Sequence, residues 1–368
     1  MVRHGTFAYT WDIVGDPGAA TRIAGLGIDT VTLQAAYHAV RGVTPWHPRH
    51  RLVHAEHAAA YFKLRPERWA RLRPPAPTWG VEHDDRFGAA SAALSAEGLR
   101  VEAWLVLTHS SAVGTAAPEV TVRNAYGERY PYALCPSHAL VRDYALTLVS
   151  EVCEQYDVAA LMLEACGWLG FEHGSHHEKT VGADLSAGAR TLLSICFCAA
   201  CRTALGPDAA ELAGEVRAAV DGELQCGVPA TLATERAAAL LAHRAAVIGD
   251  LVRQAAALAG GREVLLMAAD DPWLTGPDVG LDLSAFRAPA DAYVLKCWGD
   301  PEAAVSQVKA AAGRTELALV ANVSVLEEPW EGVSRLVAAG ASQIRYYHAG
   351  LASRARLDRI RAAVQENP

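Results

Sequence analysis

Short apolar runs separated by alanine-rich, helix-spaced stretches recur along the whole chain. The runs predict strands over residues 6–14, 28–34, 101–107, 158–163, 264–267, 292–295, 317–320 and 343–347. Several, such as Leu161-Met162-Leu163 and Val264-Leu265-Leu266, lack polar alternation, as parallel strands covered on both faces should. Helical signals lie over 16–24, closed by Gly25 and Gly27, and over 87–96, 138–156 and 234–258. Strand then helix, eight times over, predicts an α/β fold, a single (β/α)8 TIM barrel over 1–368. An open doubly wound sheet is the rival. That fold carries a glycine-rich phosphate turn after its first strand, and Trp11-Asp12-Ile13-Val14-Gly15 is not one.

Two connections exceed ordinary loop length: 38–85, an insertion after strand two, and 165–258, a loop and helical insertion after strand four. Both leave strand C-terminal ends, where barrel sites are built. Contact between copies of the chain in a homo-oligomer is the other use of such segments.

Composition narrows the classes. The chain has 368 residues, 51% of them hydrophobic, enough for a large core. Its formal net charge is −8, and its arginines form no basic run, which argues against nucleic acid as a partner. Met1-Val2-Arg3-His4-Gly5 leads directly into Phe7-Ala8-Tyr9 without a charged segment followed by an apolar one, so no signal peptide is expected. No apolar stretch is long enough for a membrane span. Eight cysteines in a chain this long predict reduced thiols in the cytoplasm, not a disulfide framework.

The strand ends carry the candidate chemistry. Strand one delivers Trp11 and Asp12, strand two Tyr37 and His38, and strand three His109. Strand four delivers Glu164 and then Trp168, strand five Asp270 and Asp271, strand six Lys296 and Trp298, strand seven Asn322, and strand eight Tyr347 and His348. Aromatic faces stack on the C–H faces of sugar rings, while His, Asn, Lys and Asp bind hydroxyls. The set therefore suggests a small carbohydrate. Glycoside hydrolysis needs two carboxyl groups, roughly 5–5.5 Å apart for retention and about 6.5–9.5 Å for inversion. Glu164, which breaks an apolar strand at its end, is the first candidate, and Asp270 is preferred as the second, with Asp12 and Asp271 behind it.

Cys196-Phe197-Cys198-Ala199-Ala200-Cys201 is a C-x-C-x2-C cluster. Three close thiolates, with Cys135 or a histidine as the fourth ligand, would suit structural zinc, and buried free thiols are the alternative. Loop histidines (His47, His50, His54, His57, His173, His176 and His177) show no metal-binding spacing, so no catalytic cofactor is expected.

The motifs Asn124-Ala125-Tyr126-Gly127, Leu134-Cys135-Pro136-Ser137 and Val141-Arg142-Asp143-Tyr144, followed by Leu163-Glu164, resemble those around the strand-four acid of glycoside-hydrolase clan A barrels. The cysteine cluster is similar to the zinc cluster that follows strand four in family-42 β-galactosidases. The resemblance spans about residues 120–205 and implies a barrel with Glu164 as a catalytic acid. Two features depart from it. The clan has Asn before that acid, where this chain has Leu163, and a Glu ending strand seven, where this chain has Asn322. The expected function is a glycoside hydrolase acting on a small glycoside or oligosaccharide. The alternatives are a Schiff-base lyase of the class I aldolase type using Lys296, and a non-catalytic sugar-binding barrel.

Overall fold

The computed structural model describes residues 2–79, 84–173, 179–326 and 332–368. Eight parallel strands close on themselves: β1 (Arg3–Ala8), β2 (Thr30–Tyr37), β3 (Arg100–Val106), β4 (Ala160–Glu164), β5 (Glu263–Ala269), β6 (Ala292–Lys296), β7 (Ala318–Ser324) and β8 (Gln343–Tyr347). Strand order follows chain order, and β1 pairs with both β8 and β2, so no edge is left open. The fold is the expected (β/α)8 barrel.

Alternation along each strand sends every second side chain into the barrel. Arg345 runs across the interior, where its guanidinium donates to Glu102 at 2.6 and 3.2 Å and to Gln343 Oε1 at 2.9 Å. Both charged side chains are fully buried. Burial pushes the Glu102 carboxyl up, but the charge and hydrogen bonds of Arg345 outweigh it and hold Glu102 below the ordinary glutamate range. Gly5 makes room for this crossing, since a Cβ there would lie 2.9 Å from Arg345 Cδ.

The expected first strand of 6–14 is corrected: β1 ends at Ala8, and Thr10–Ile13 forms one helical turn. The Asp12 carboxylate accepts from Tyr9 N at 2.8 Å and stabilises the start of that turn. β1 therefore presents Tyr9 at the barrel mouth. β7 runs to Ser324, past the expected 320, so Asn322 lies within the strand.

Helix Arg86–Ala96 is capped by Asp85, whose Oδ1 accepts from Gly88 N at 2.8 Å. Helices Ala139–Gln155 and Thr234–Ala259 pack on each other in the outer ring. The segment after β2 contains an antiparallel hairpin, Val40–Val43 with Leu52–Ala55. After β4, helices Ala187–Leu193 and Ala209–Cys226 bury Leu192, Leu212, Val216 and Val220 in a small core of their own. Among the described residues no helix is long and apolar enough to cross a membrane.

Candidate active site

Glu164 is the last residue of β4 and is 3% exposed. Its inward direction follows from strand alternation, and Trp104, inside β3, donates Nε1–H to Glu164 Oε2 at 2.7 Å. Burial is the main reason that Glu164 is pushed up to about 8; nearby Asp278 adds to the rise, while the Trp104 bond and the Lys296 charge oppose it. At neutral pH the group is a carboxylic acid.

The second carboxyl at this mouth is Asp278. After β5 the chain leaves, turns, and returns so that Val279 and Gly280 pair with Ala268 and Ala269. Ala165 N donates to Pro277 O at 2.8 Å, which fixes the returning segment against the end of β4. Asp278 is 8% exposed, and its Oδ1 has no hydrogen-bond partner among the described residues. Burial pushes it up to about 6, and Lys296 works against the rise. The two carboxyls thus hold their protons over different pH ranges, the arrangement that separates an acid from a base or nucleophile.

Asp270, preferred from the sequence as the second carboxylate, points elsewhere. Its Oδ2 pairs with Arg314 Nε at 3.0 Å and its Oδ1 accepts from Leu283 N at 3.2 Å. Asp271 is exposed and accepts from Trp273 N at 2.9 Å, closing a local turn. Asp12 is buried beneath Gly350 and bonded to Tyr9 N, and burial pushes it up to about 7. None of the three contributes to the electrostatics of Glu164.

Tyr9, Tyr37 and Tyr347 meet around Trp104. The Tyr347 hydroxyl lies 3.3 Å from that of Tyr9 and 3.4 Å from that of Tyr37. The Tyr37 and Trp104 ring centres are 4.2 Å apart. Trp298 sits 4.7 Å from Tyr347 and donates Nε1–H to Asn322 Oδ1 at 3.3 Å. Lys296 is exposed, its ammonium 4.5 Å from the centre of the Trp298 ring. His38 and His109 stand beside each other on the β2–β3 side, their ring centres 4.7 Å apart.

Of the predicted sugar contacts, Trp168 lies outside this group and Trp11 sits at its edge, its ring centre 4.6 Å from that of Tyr9. Trp11 packs edge-on against Tyr61 and Trp79. Trp168 faces His243 and Arg244 and helps line a small cavity with Cys196, Cys201 and Trp273. His348 is fully buried, 3.7 Å from Asp12, and burial holds it down to about 3. His176 and His177 lie outside the described residues. Sequence reasoning missed Tyr9, Trp104 and Asp278. Period-two alternation from Phe7 could have found Tyr9, whereas Asp278 in Gly276-Pro277-Asp278 reads as an ordinary turn.

No protein-family model matches the sequence, and no curated protein does. Solved structures do. The PgaB (BpsB) glycoside hydrolase domain from Bordetella bronchiseptica is similar with TM-score 0.58 and 14% identity, over 99% of each chain. The β-galactosidase from the psychrophilic Marinomonas ef1 gives TM-score 0.60 and 12% identity, over 99% of this chain and 59% of its own. The α-L-fucosidase isoenzyme 2 from Paenibacillus thiaminolyticus gives 0.56 and 13%, and this chain spans about half of it, 49%. The fold is that of the glycoside-hydrolase barrels.

Away from the mouth of this glycoside-hydrolase-like barrel, Cys135, Cys196, Cys198 and Cys201 converge, with all four Sγ atoms within 4.8 Å of one another. Cys135 Sγ is 3.5 Å from Cys201 and Cys198 and 3.8 Å from Cys196. Tetrahedral zinc with bonds of about 2.3 Å places sulfur atoms about 3.8 Å apart, so the four thiols fit that ion. Around them, Ser137 Oγ lies 3.3 Å from Cys201 Sγ and 3.0 Å from His243 Nε2, a second layer that orients a ligand.

Proposed function

We propose that this chain is a glycosidase acting on a small glycoside or oligosaccharide. Glu164 serves as general acid, and Asp278 takes the place first given to Asp270 as the second carboxylate. One observation carries the reading: two buried carboxyls, Glu164 and Asp278, stand within electrostatic reach of each other at the barrel mouth, and burial pushes the first up to about 8 and the second to about 6. Glu164 protonates the leaving oxygen. Asp278, ionised at neutral pH, either activates water or attacks the anomeric carbon, according to the separation of the two groups. Tyr9, Tyr37, Tyr347 and Trp298 supply the aromatic wall, and Asn322 and His109 supply polar contacts.

In this reading the four cysteines hold structural zinc, which clamps the insertion after β4 to the outer ring, and catalysis uses no cofactor. The thiols suit a reducing cytoplasm. The partner is the sugar itself, without nucleic acid or membrane.

A panel of aryl glycosides tests the proposal. Glu164→Gln and Asp278→Asn should each fold and lower turnover by roughly 10²-fold or more, the usual cost of losing acid–base catalysis. Near-normal turnover in both folded variants would overturn it. A second reading, a sugar-binding barrel without catalysis, is favoured by Asn322 standing in β7 where the resembling clan has Glu. It predicts sugar binding without turnover. The Schiff-base alternative requires a desolvated lysine, and Lys296 is exposed.

A further inference from the structure

One side of the barrel mouth is basic in composition. His38, His109 and His173 form a row, with ring centres 4.7 Å apart for the first pair and 4.4 Å for the second. Tyr132 closes the row, 5.7 Å from His173. His38 Nδ1 lies 2.7 Å from the Ala39 carbonyl, which can only accept, so the proton is on Nδ1 and Nε2 is left as an acceptor. His109 Nδ1 is buried and has no hydrogen-bond partner among the described residues. Lys296 is the cation within electrostatic reach of His173, Glu164 and Asp278. Among the described residues it has no carboxylate at ion-pair distance. Its ammonium rests on the Trp298 ring, which keeps it at the mouth.

We propose that this mouth binds a sugar carrying an anionic group, a carboxylate or a sulfate, seated between Lys296 and the His109–His173 pair. The inference rests on the glycosidase reading of the same site and names its substrate class. With a neutral sugar the Lys296 ammonium has the Asp278 charge within electrostatic reach but no carboxylate at ion-pair distance among the described residues. An anion provides a partner at that distance and gains charge-assisted hydrogen bonds from the ammonium and the imidazoles. Burial holds all three histidines below the ordinary range, with His38 at about 4 and His109 at about 2, so they stand neutral before the ligand arrives. An adjacent anion raises them back toward the ordinary range. Glu164 is uncharged at neutral pH and does not repel the ligand. Asp278 is the negative group the anion meets, and Lys296 offsets it. His38 Nε2, an acceptor, is left to a ring hydroxyl.

The test compares aryl hexuronides, aryl 6-sulfo-hexosides and their neutral parent hexosides, using wild type and Lys296→Met. The charged compounds should be preferred, and the variant should reduce the charged-to-neutral ratio of kcat/KM at least tenfold. Whether the hexuronide or the sulfated hexoside wins identifies the anion. Cleavage of neutral parents with a ratio that Lys296→Met does not change would overturn the inference while leaving the glycosidase intact. If no glycoside is cleaved, calorimetry with free hexuronic acids, hexose 6-sulfates and neutral hexoses decides it. Binding of a charged sugar, weakened at least tenfold by Lys296→Met, supports the anion site even as the hydrolase reading fails. Equal affinity for charged and neutral sugars, or no binding of either, overturns it.

Discussion

Glu164→Gln should make this protein more stable, by an amount set by pH. The substitution keeps the size of the side chain and an oxygen to accept the Trp104 indole bond, now 2.7 Å long, but removes the titrating proton. Folded Glu164 holds its proton up to about 8, whereas an unperturbed glutamate releases it at 4.5. The folded state therefore binds the proton more tightly. The stability that this provides is fully present below the unfolded value and is lost as pH rises through the folded one. Between 4.5 and 7 the loss accumulates to about 3 kcal/mol, at 1.36 kcal/mol per pH unit, and it levels off above pH 8. Wild type and variant should thus unfold at similar denaturant concentrations at pH 4. At pH 7 the variant should gain about 3 kcal/mol, and at pH 9 somewhat more. Denaturant melts followed by circular dichroism at the three pH values measure the difference without any substrate. A gain that is the same at all three would refute the argument, because it would mean that Glu164 titrates alike in the folded and unfolded chain. A stabilising loss of a buried carboxyl is the expected sign of a group held against its solvation preference.

Trp104→Phe removes the indole donor to Glu164, so the acid should hold its proton to still higher pH, and the alkaline limb of the pH–rate profile should move up by about one unit, the worth of a hydrogen bond to a charged group. An unmoved limb would separate Glu164 from the titration that limits turnover. Cys198→Ala should strip about one equivalent of zinc from the purified protein and lower its melting temperature, since structural zinc contributes to folding directly. Metal-free wild type that melts like the variant would favour packed thiols.

The local order of the chain was sufficient for the barrel and for placing Glu164 at the end of its fourth strand. Continuous apolar runs can be buried on both faces only in a parallel sheet wrapped by helices, and that pattern is written in neighbouring residues. Glu164 was legible for the same reason, as the residue that interrupts such a run at its C-terminal end. Cys196, Cys198 and Cys201 were legible because their spacing alone keeps three thiols close. What the sequence could not order were distances across the fold. Asp270 was set aside by Arg314, which reaches it from a different connection. Asp278 comes near Glu164 instead because a turn after β5 returns to pair with that strand, a path decided by backbone hydrogen bonds to Ala165 and β5. Tyr9 joined Trp11 because β1 stops at Ala8 and the Asp12 carboxylate caps a helical turn that starts one residue later. Cys135 joined the cluster from 61 residues before Cys196. In each case a side chain's partner is distant in sequence, and closure of the barrel brings the two together. Propensity and spacing settle which elements form, but the geometry of a site depends on contacts that exist only once those elements have packed.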